Sequence, residues 1–296
     1  MSVQLALDVG GTKLAAGVVE HGRVTRPVRV PTPSGHPGVW DACARLLVQV
    51  ADGRRVDAVA IASAGPVDTT AGTVAPINIP EWADGFAITD AAGGLFRGAH
   101  VQLVGDGAAT ALGEHRHGAG RGTRDLLAVV VSTGVGAGLV LGGRPVFGRT
   151  GNAGHLGHVV VHGEDSPCTC GGRGCLETVA SGPASVRWAR ERGWPGETGI
   201  DLARDDGDLA TAALARAGTA LGEAFASAAA LLDVDLVVVG GGFSAAGPRL
   251  WQPMREAARL HARLSFTRPL RIVPAELGGD ASLAGAAVLA TGQPLP

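Results

Sequence analysis

The segment from Gly151 to Glu177, GNAGHLGHVVVHGEDSPCTCGGRGCLE, holds three of the chain's four cysteines and seven glycines, and leaves almost no room for a helix. Within it His158, Cys168, Cys170 and Cys175 follow the pattern H-x9-C-x-C-x4-C. Three thiolates and an imidazole so spaced form the ligand set of a closed tetrahedral zinc site, and the glycines allow the tight turns that such a knot requires. Cys-x-Cys is too cramped to bridge easily, so these thiols read as metal ligands rather than disulfides. One histidine completes the knot. His155 lies three residues before His158, close enough in an irregular loop for one imidazole to bind metal while its neighbour meets a ligand. His162 reads as a surface residue.

The chain has 296 residues, 46% of them hydrophobic, enough for two cores of ordinary size and hence two lobes with a cleft. A net charge of -2 leaves no basic stripe for nucleic acid. No signal peptide and no uninterrupted apolar span of about 18 residues is evident, so no membrane role and a cytoplasmic location are expected. Reduced thiols suit that compartment. Cys43, inside an apolar helical pattern, reads as core. Lys13 is the only lysine, directly after Gly10-Gly11-Thr12, where a lone ammonium would reach a phosphate.

In chain order, VQLALDV at 3–9 ends in Asp8 and runs through that Gly-Gly-Thr-Lys turn into LAAGVV, a strand-turn-strand pattern. Successive glycines bare their backbone N–H groups, which suits a phosphate with Asp8 holding a metal-bound water, and equally suits an ordinary glycine hairpin. After the Pro31 to Pro37 loop, GVWDACARLLVQVA has helical spacing and leads into the strand VDAVAIASAG, closed by Gly65-Pro66-Val67. Asn78 stands in a rigid Pro-containing loop and reads as a polar contact or a turn residue. Asp106 follows the strand VQLVG and opens a helix, where it reads either as an N-cap or as a general base beyond the carboxyl end of a strand.

From Leu126 to Gly142 the opening pattern recurs, with Ser132, Thr133, Gly134 and Gly136 in the turn, which suggests a duplicated core. No helix follows, and the third glycine of a dinucleotide fingerprint is replaced by Leu139, so no Rossmann cofactor is implied; no Walker sequence is present either. A long Ala-rich helix from Leu209 to Leu232 and the strand DLVVV lead to Gly240-Gly241-Gly242, a turn that lets backbone approach a flat ligand. A helix around Trp251 to Leu264, the strand LRIVPAEL and a small-residue helix close the chain.

Taken together, these motifs resemble the ROK family of bacterial sugar kinases and repressors over essentially the whole chain. The resemblance implies an α/β, actin-like ATPase (ribonuclease H-like) fold of two lobes with an active-site cleft between them. Residues 1–105, completed by the C-terminal helix 281–296, would form a small lobe, and 106–280 a large lobe carrying the zinc motif. It further implies that Asp8, Gly10, Gly11, Thr12 and Lys13 form the first phosphate loop, Ser132 to Gly138 the second, and Gly240 to Gly242 the adenosine contact. Asp106 would be the catalytic base, and Gly65, Asn78, Asp106, His155, His158 and Glu177 would contact sugar. ATP with Mg²⁺, a structural Zn²⁺ on His158, Cys168, Cys170 and Cys175, and a homodimer are expected.

Two departures from the family pattern bear on substrate. Gly105-Asp106 stands where Asn-Asp is usual, removing one hydrogen bond to a sugar hydroxyl. His155-Leu156-Gly157-His158 replaces Glu-x-Gly-His, a form that resembles the N-acetylmannosamine kinases of the family more than its glucokinases. The expected activity is therefore ATP-dependent phosphorylation of the 6-hydroxyl of an N-acetylated hexosamine, with glucose phosphorylation or a non-catalytic sugar sensor as alternatives. A repressor of this family carries a helix-turn-helix ahead of the phosphate loop, and seven residues precede Asp8, so that class is not expected.

Overall fold

The computed structural model describes residues 2–35 and 38–292. The last residues of the expected 281–296 helix, and Pro37 of the proline loop, lie outside them. In order the chain forms β1 (Ser2–Val9), β2 (Lys13–Glu20), β3 (Arg23–Pro31), α1 (Val39–Ala51), β4 (Arg55–Ser63), the short pair β5 (Val67–Asp68) and β6 (Thr73–Val74), α2 (Ile88–Leu95), β7 (His100–Gly105) and α3 (Asp106–His117). There follow β8 (Leu126–Val131), β9 (Val135–Leu141), β10 (Arg144–Val146), α4 (Glu177–Ala180), α5 (Gly182–Arg190), α6 (Gly199–Arg204), α7 (Asp208–Leu232), β11 (Leu236–Gly240), α8 (Pro248–His261), β12 (Arg271–Pro274) and α9 (Ala281–Ala290).

Two five-stranded sheets carry the fold, ordered β3-β2-β1-β4-β7 and β10-β9-β8-β11-β12. In the first, β1 pairs antiparallel with β2 and parallel with β4, which pairs parallel with β7. In the second, β8, β11 and β12 run parallel and β9 pairs antiparallel with β10. Each sheet is thus a three-strand run extended by parallel strands on one side, the repeat that the two Gly/Thr turns suggest. This is the actin-like ATPase fold.

The chain divides into two compact units: Met1–Gly122 with Gly138–Gly154 and Gly279–Pro296, and Thr123–Ala137 with His155–Gly278. The first therefore keeps α3, which the sequence boundary at 105/106 assigns to the other lobe. The reason is side-chain size. Ala109 and Gly113 on α3 meet Ala281 and Gly285 on α9 so closely that a Cβ at either glycine would overlap the other helix's backbone. Small residues alone let these helices approach, and the contact ties α3 to α9.

Alternation along β1 sorts its side chains by face. Leu5, Leu7 and Val9 bury against α1, while Ala6 joins Ala108, Ala109, Leu283 and Ala286 in a second, Ala-rich core. Asp8 shares the face of Ala6, and so arrives among α3 and α9 rather than in the larger core. In the second unit, Gly218 and Gly222 of α7 seat the backbone of α8 in the same manner. Cys43 is fully buried, as its pattern predicts, and burial pushes its thiol up to about 12. Among the described residues no helix is long and apolar enough to cross a membrane.

Candidate active site and metal centre

In the first unit the carboxyl ends of three parallel strands come level: Val9 aligns with Ser63, and Ser63 with Gly105. Ligands of open α/β sheets bind beyond such an edge, and Asp8, Gly65 and Asp106 all stand there. Asp8 is 6% exposed and accepts a hydrogen bond from Ser282 Oγ at 2.7 Å. Burial pushes its carboxyl up, against the lowering effects of Ser282 and Lys13.

Asp106 is the first residue of α3, with Gly105 in the N-cap position, where no side-chain cap hydrogen bond forms. Its Oδ1 accepts from Gly107 N at 2.7 Å. Burial, reinforced by the charge of Asp8, pushes the Asp106 carboxyl up to about 7. A carboxylate poised near neutrality is suited to taking a proton.

The Gly10–Lys13 turn closes through Gly10 N donating to Lys13 O at 3.0 Å, and Thr32 Oγ1 donates to Gly10 O at 2.6 Å. Thr12 is exposed on it. Gly11 is fixed by Asn78, whose side chain occupies the space that a Cβ at Gly11 would take. Lys13 Nζ donates to Gly279 O at 2.6 Å, so the ammonium braces the chain ahead of α9. Gly65 precedes Pro66, and Val67 beyond them is held from a residue the sequence did not single out. Asn152 Oδ1 accepts from Val67 N at 3.0 Å while its Nδ2 donates to Val67 O at 2.6 Å. The carboxamide thus pairs with both backbone groups of one residue, as a neighbouring strand would.

In the second unit, β8 and β11 also end level, with Gly240 beside Val130, and place Ser132 next to Gly241 and Gly242. These residues border a cavity of about 1030 Å³ whose lining includes Ser132, Thr133, Arg187, Thr198, Gly242 and Phe243. Its size accommodates a nucleoside. The walls from α5 and α6, and the ring of Phe243, carry no signature that sequence reasoning could use. The loop at the cavity edge is clasped from two sides, with Gly182 N donating to Ser132 O and Val135 N to Glu177 Oε2, each at 2.9 Å.

His155 and His158 lie with ring centroids 5.7 Å apart. Burial and His158 push the His155 imidazole down, while Glu177 pulls it up, so the three polar side chains act on one another. His162 is exposed. The ligand atoms of His158, Cys168, Cys170 and Cys175 all fall within 4.8 Å of one another. Cys170 Sγ to Cys175 Sγ is 3.7 Å and Cys168 Sγ to His158 Nδ1 is 3.8 Å. A zinc tetrahedron with Zn–S bonds of about 2.3 Å has sulfur–sulfur edges of about 3.8 Å, so the four residues fit the ion. His158 turns Nδ1 to the thiols, leaving Nε2 on the opposite edge of its ring. Glu164, which accepts from Ser166 Oγ at 2.7 Å and pairs with Arg216 of α7, anchors the loop to the helix behind it.

The fold and these two sites define a nucleotide-dependent phosphotransferase of the actin-like ATPase class. The model of the ROK family matches residues 4–293, and the chain belongs to that family. It is 34% identical to the glucokinase of Thermotoga maritima over 96% of this chain and 95% of that one. With the N-acetylmannosamine kinase of Yersinia pseudotuberculosis it shares 35% identity over 81% of this chain and 83% of the relative. The structure of a ROK glucokinase from Streptomyces griseus in complex with glucose and AMPPNP superposes with a TM-score of 0.83, at 33% identity, covering 98% of this chain and 100% of that one. The protein is an ATP-dependent sugar kinase that uses ATP with Mg²⁺, and its His-Cys₃ cluster is the structural zinc site of the family.

Proposed function

We propose that this kinase transfers the γ-phosphoryl group of ATP to the 6-hydroxyl of N-acetylmannosamine. The observation that carries the proposal is the imidazole of His155 beside His158 and Glu177. Exchanging a sugar's 2-hydroxyl for an acetamido group adds a carbonyl acceptor. A carboxylate at position 155 repels that oxygen, whereas an imidazole donates an N–H to it in either protonation state. Gly105 points the same way: a Cβ built there meets Gly151 O at 3.4 Å and Val67 Cγ2 at 3.9 Å, ordinary contacts, so the absent side chain leaves room.

In this scheme Asp106 takes the proton of the 6-hydroxyl, whose oxygen forms a bond to the γ-phosphorus. The bond to the bridging oxygen breaks and its electron pair leaves on ADP. Backbone N–H groups of the Gly10–Thr12 and Ser132–Gly136 loops stabilise charge on the phosphate oxygens, which is the main task of a protein in phosphoryl transfer. Mg²⁺ bound with ATP neutralises part of that charge. Zinc on His158 and the three cysteines fixes the loop that carries His155.

Glucose phosphorylation is the second reading, favoured by the nearly full-length likeness to the Thermotoga maritima glucokinase. A coupled ADP-release assay across glucose, mannose, N-acetylglucosamine and N-acetylmannosamine tests the two. The proposal expects kcat/KM for N-acetylmannosamine at least about tenfold above glucose, since mispaired polar groups in a sugar site cost that much or more. Equal or better turnover of glucose overturns it.

A further inference from the structure

Glu177 is expected to contact sugar, yet one of its carboxylate oxygens is already engaged. Oε2 accepts from Val135 N at 2.9 Å, in the loop that borders the nucleotide-sized cavity. The contact is built in rather than incidental. A Cβ at Gly134 would meet Glu177 Oε2 at 2.5 Å, so the glycine before Val135 gives the carboxylate oxygen its room against the backbone, and a side chain there would push it aside. Glu177 opens α4 immediately after the metal-ligand residue Cys175 and Leu176, and Leu176 is fully buried. Its position is therefore set by the zinc loop on one side and by the helix on the other.

The second clasp on the same loop, Gly182 N to Ser132 O, comes from the N-terminus of the next helix, five residues further on. The Ser132–Val135 turn is thus held at both ends by one short run of chain, residues 177–182. Gly136, in contrast, has open space where a Cβ would lie. A carboxylate beside a phosphate-binding loop opposes phosphate by its charge. Its presence here is explained if its hydrogen bond orders the loop, which Ser132 N donating to Gly134 O at 2.9 Å also tightens from within.

We infer that Glu177 is a positioning residue for the phosphoryl donor: through Val135 N it sets the second phosphate loop, so nucleotide affinity depends on it even with no sugar present. The inference rests on the assignment of Ser132–Gly138 as a phosphate loop. Because one oxygen is committed to the loop, the other is the one free to meet a sugar hydroxyl. A single side chain then links the two substrates.

The test is isothermal titration of the zinc-loaded full chain with Mg²⁺–AMPPNP in the absence of sugar, for the parent, Glu177→Gln and Glu177→Ala. The glutamine carbonyl keeps an acceptor for Val135 N, whereas alanine keeps none. Losing a hydrogen bond to a charged acceptor is expected to weaken binding by about tenfold or more in Glu177→Ala. Glu177→Gln should stay within about threefold of the parent while raising KM for sugar. Zinc content and thermal midpoint, measured on the same samples, report whether each variant is folded. Parent-like or tighter AMPPNP affinity in folded Glu177→Ala overturns the inference, as does equal loss in folded Glu177→Gln. Failure of the parent itself to bind AMPPNP would instead strike at the phosphate-loop assignment.

Discussion

Asp8, one residue short of the end of β1, and Asp106, one residue past the end of β7, stand at one sheet edge with β4 between them, and the charge of Asp8 adds to burial in pushing the Asp106 carboxyl up to about 7. A base must be ionised to accept a proton, so kcat/KM for sugar should rise with pH through about 7 and flatten above it. Carboxyl carbon NMR of the protein without substrates should show Asp106 titrating near that pH, and at lower pH in Asp8→Asn. A midpoint below about 5 in the parent would exclude the coupling.

The same shift has a stability consequence of unusual sign. Between the unfolded carboxyl value of about 4 and the folded value of about 7, the native state holds a proton that the unfolded chain has lost. Stability contributed by Asp106 is thus full at low pH and lost as pH rises through that window. Asp106→Asn, which cannot ionise, should melt at higher temperature than the parent at pH 8, with the difference vanishing near pH 4. Its kcat should fall by on the order of 10² to 10⁴ with sugar affinity largely kept. A variant that turns over at parental rate would reduce Asp106 to a helix-opening residue.

Metal analysis of freshly purified protein should find about one zinc per chain, because the four ligand atoms lie within 4.8 Å of one another and the Cys170–Cys175 and Cys168–His158 separations already match the edges of a zinc tetrahedron. Cys168→Ser is expected to lose metal and sugar binding together, since the loop's order depends on its ligands. Sugar binding that survives quantitative zinc removal would separate the two.

Substrate preference should follow the side chain at position 155. His155→Glu replaces a donor by an acceptor and is expected to move the ratio of kcat/KM for N-acetylmannosamine over glucose toward glucose by about tenfold or more. An unchanged ratio would remove His155 from the specificity argument.

What the sequence made legible is what short-range spacing encodes. The strand-turn-strand units around Gly10 and Gly134 follow from alternation and glycine placement, and the zinc ligands span fewer than twenty residues. Asp106 was visible because it directly follows an apolar strand, and the structure places it one residue inside the helix, after Gly105 in the N-cap position. Partners distant in the chain were not visible. Asn152 reaches Val67 across 85 residues and Ser282 reaches Asp8 across 274, and neither Asn nor Ser carries a pattern that announces such a bond. The helix expected from Trp251 begins at Pro248, a proline placed where a first turn tolerates it, and continues through Pro253. The close contact between α3 and α9 was not legible either, because it depends on small side chains, which hydrophobic periodicity does not register.

The lone lysine has a use outside catalysis. Lys13 Nζ, held at 2.6 Å by Gly279 O, is the only side-chain amine in the chain and belongs to the residue that closes the Gly10–Lys13 turn. Acylating reagents that decorate ordinary proteins at dozens of points find one side-chain target here. A fluorophore coupled to it reports from a single defined place, and its attachment severs the tie between the start of β2 and the segment ahead of α9.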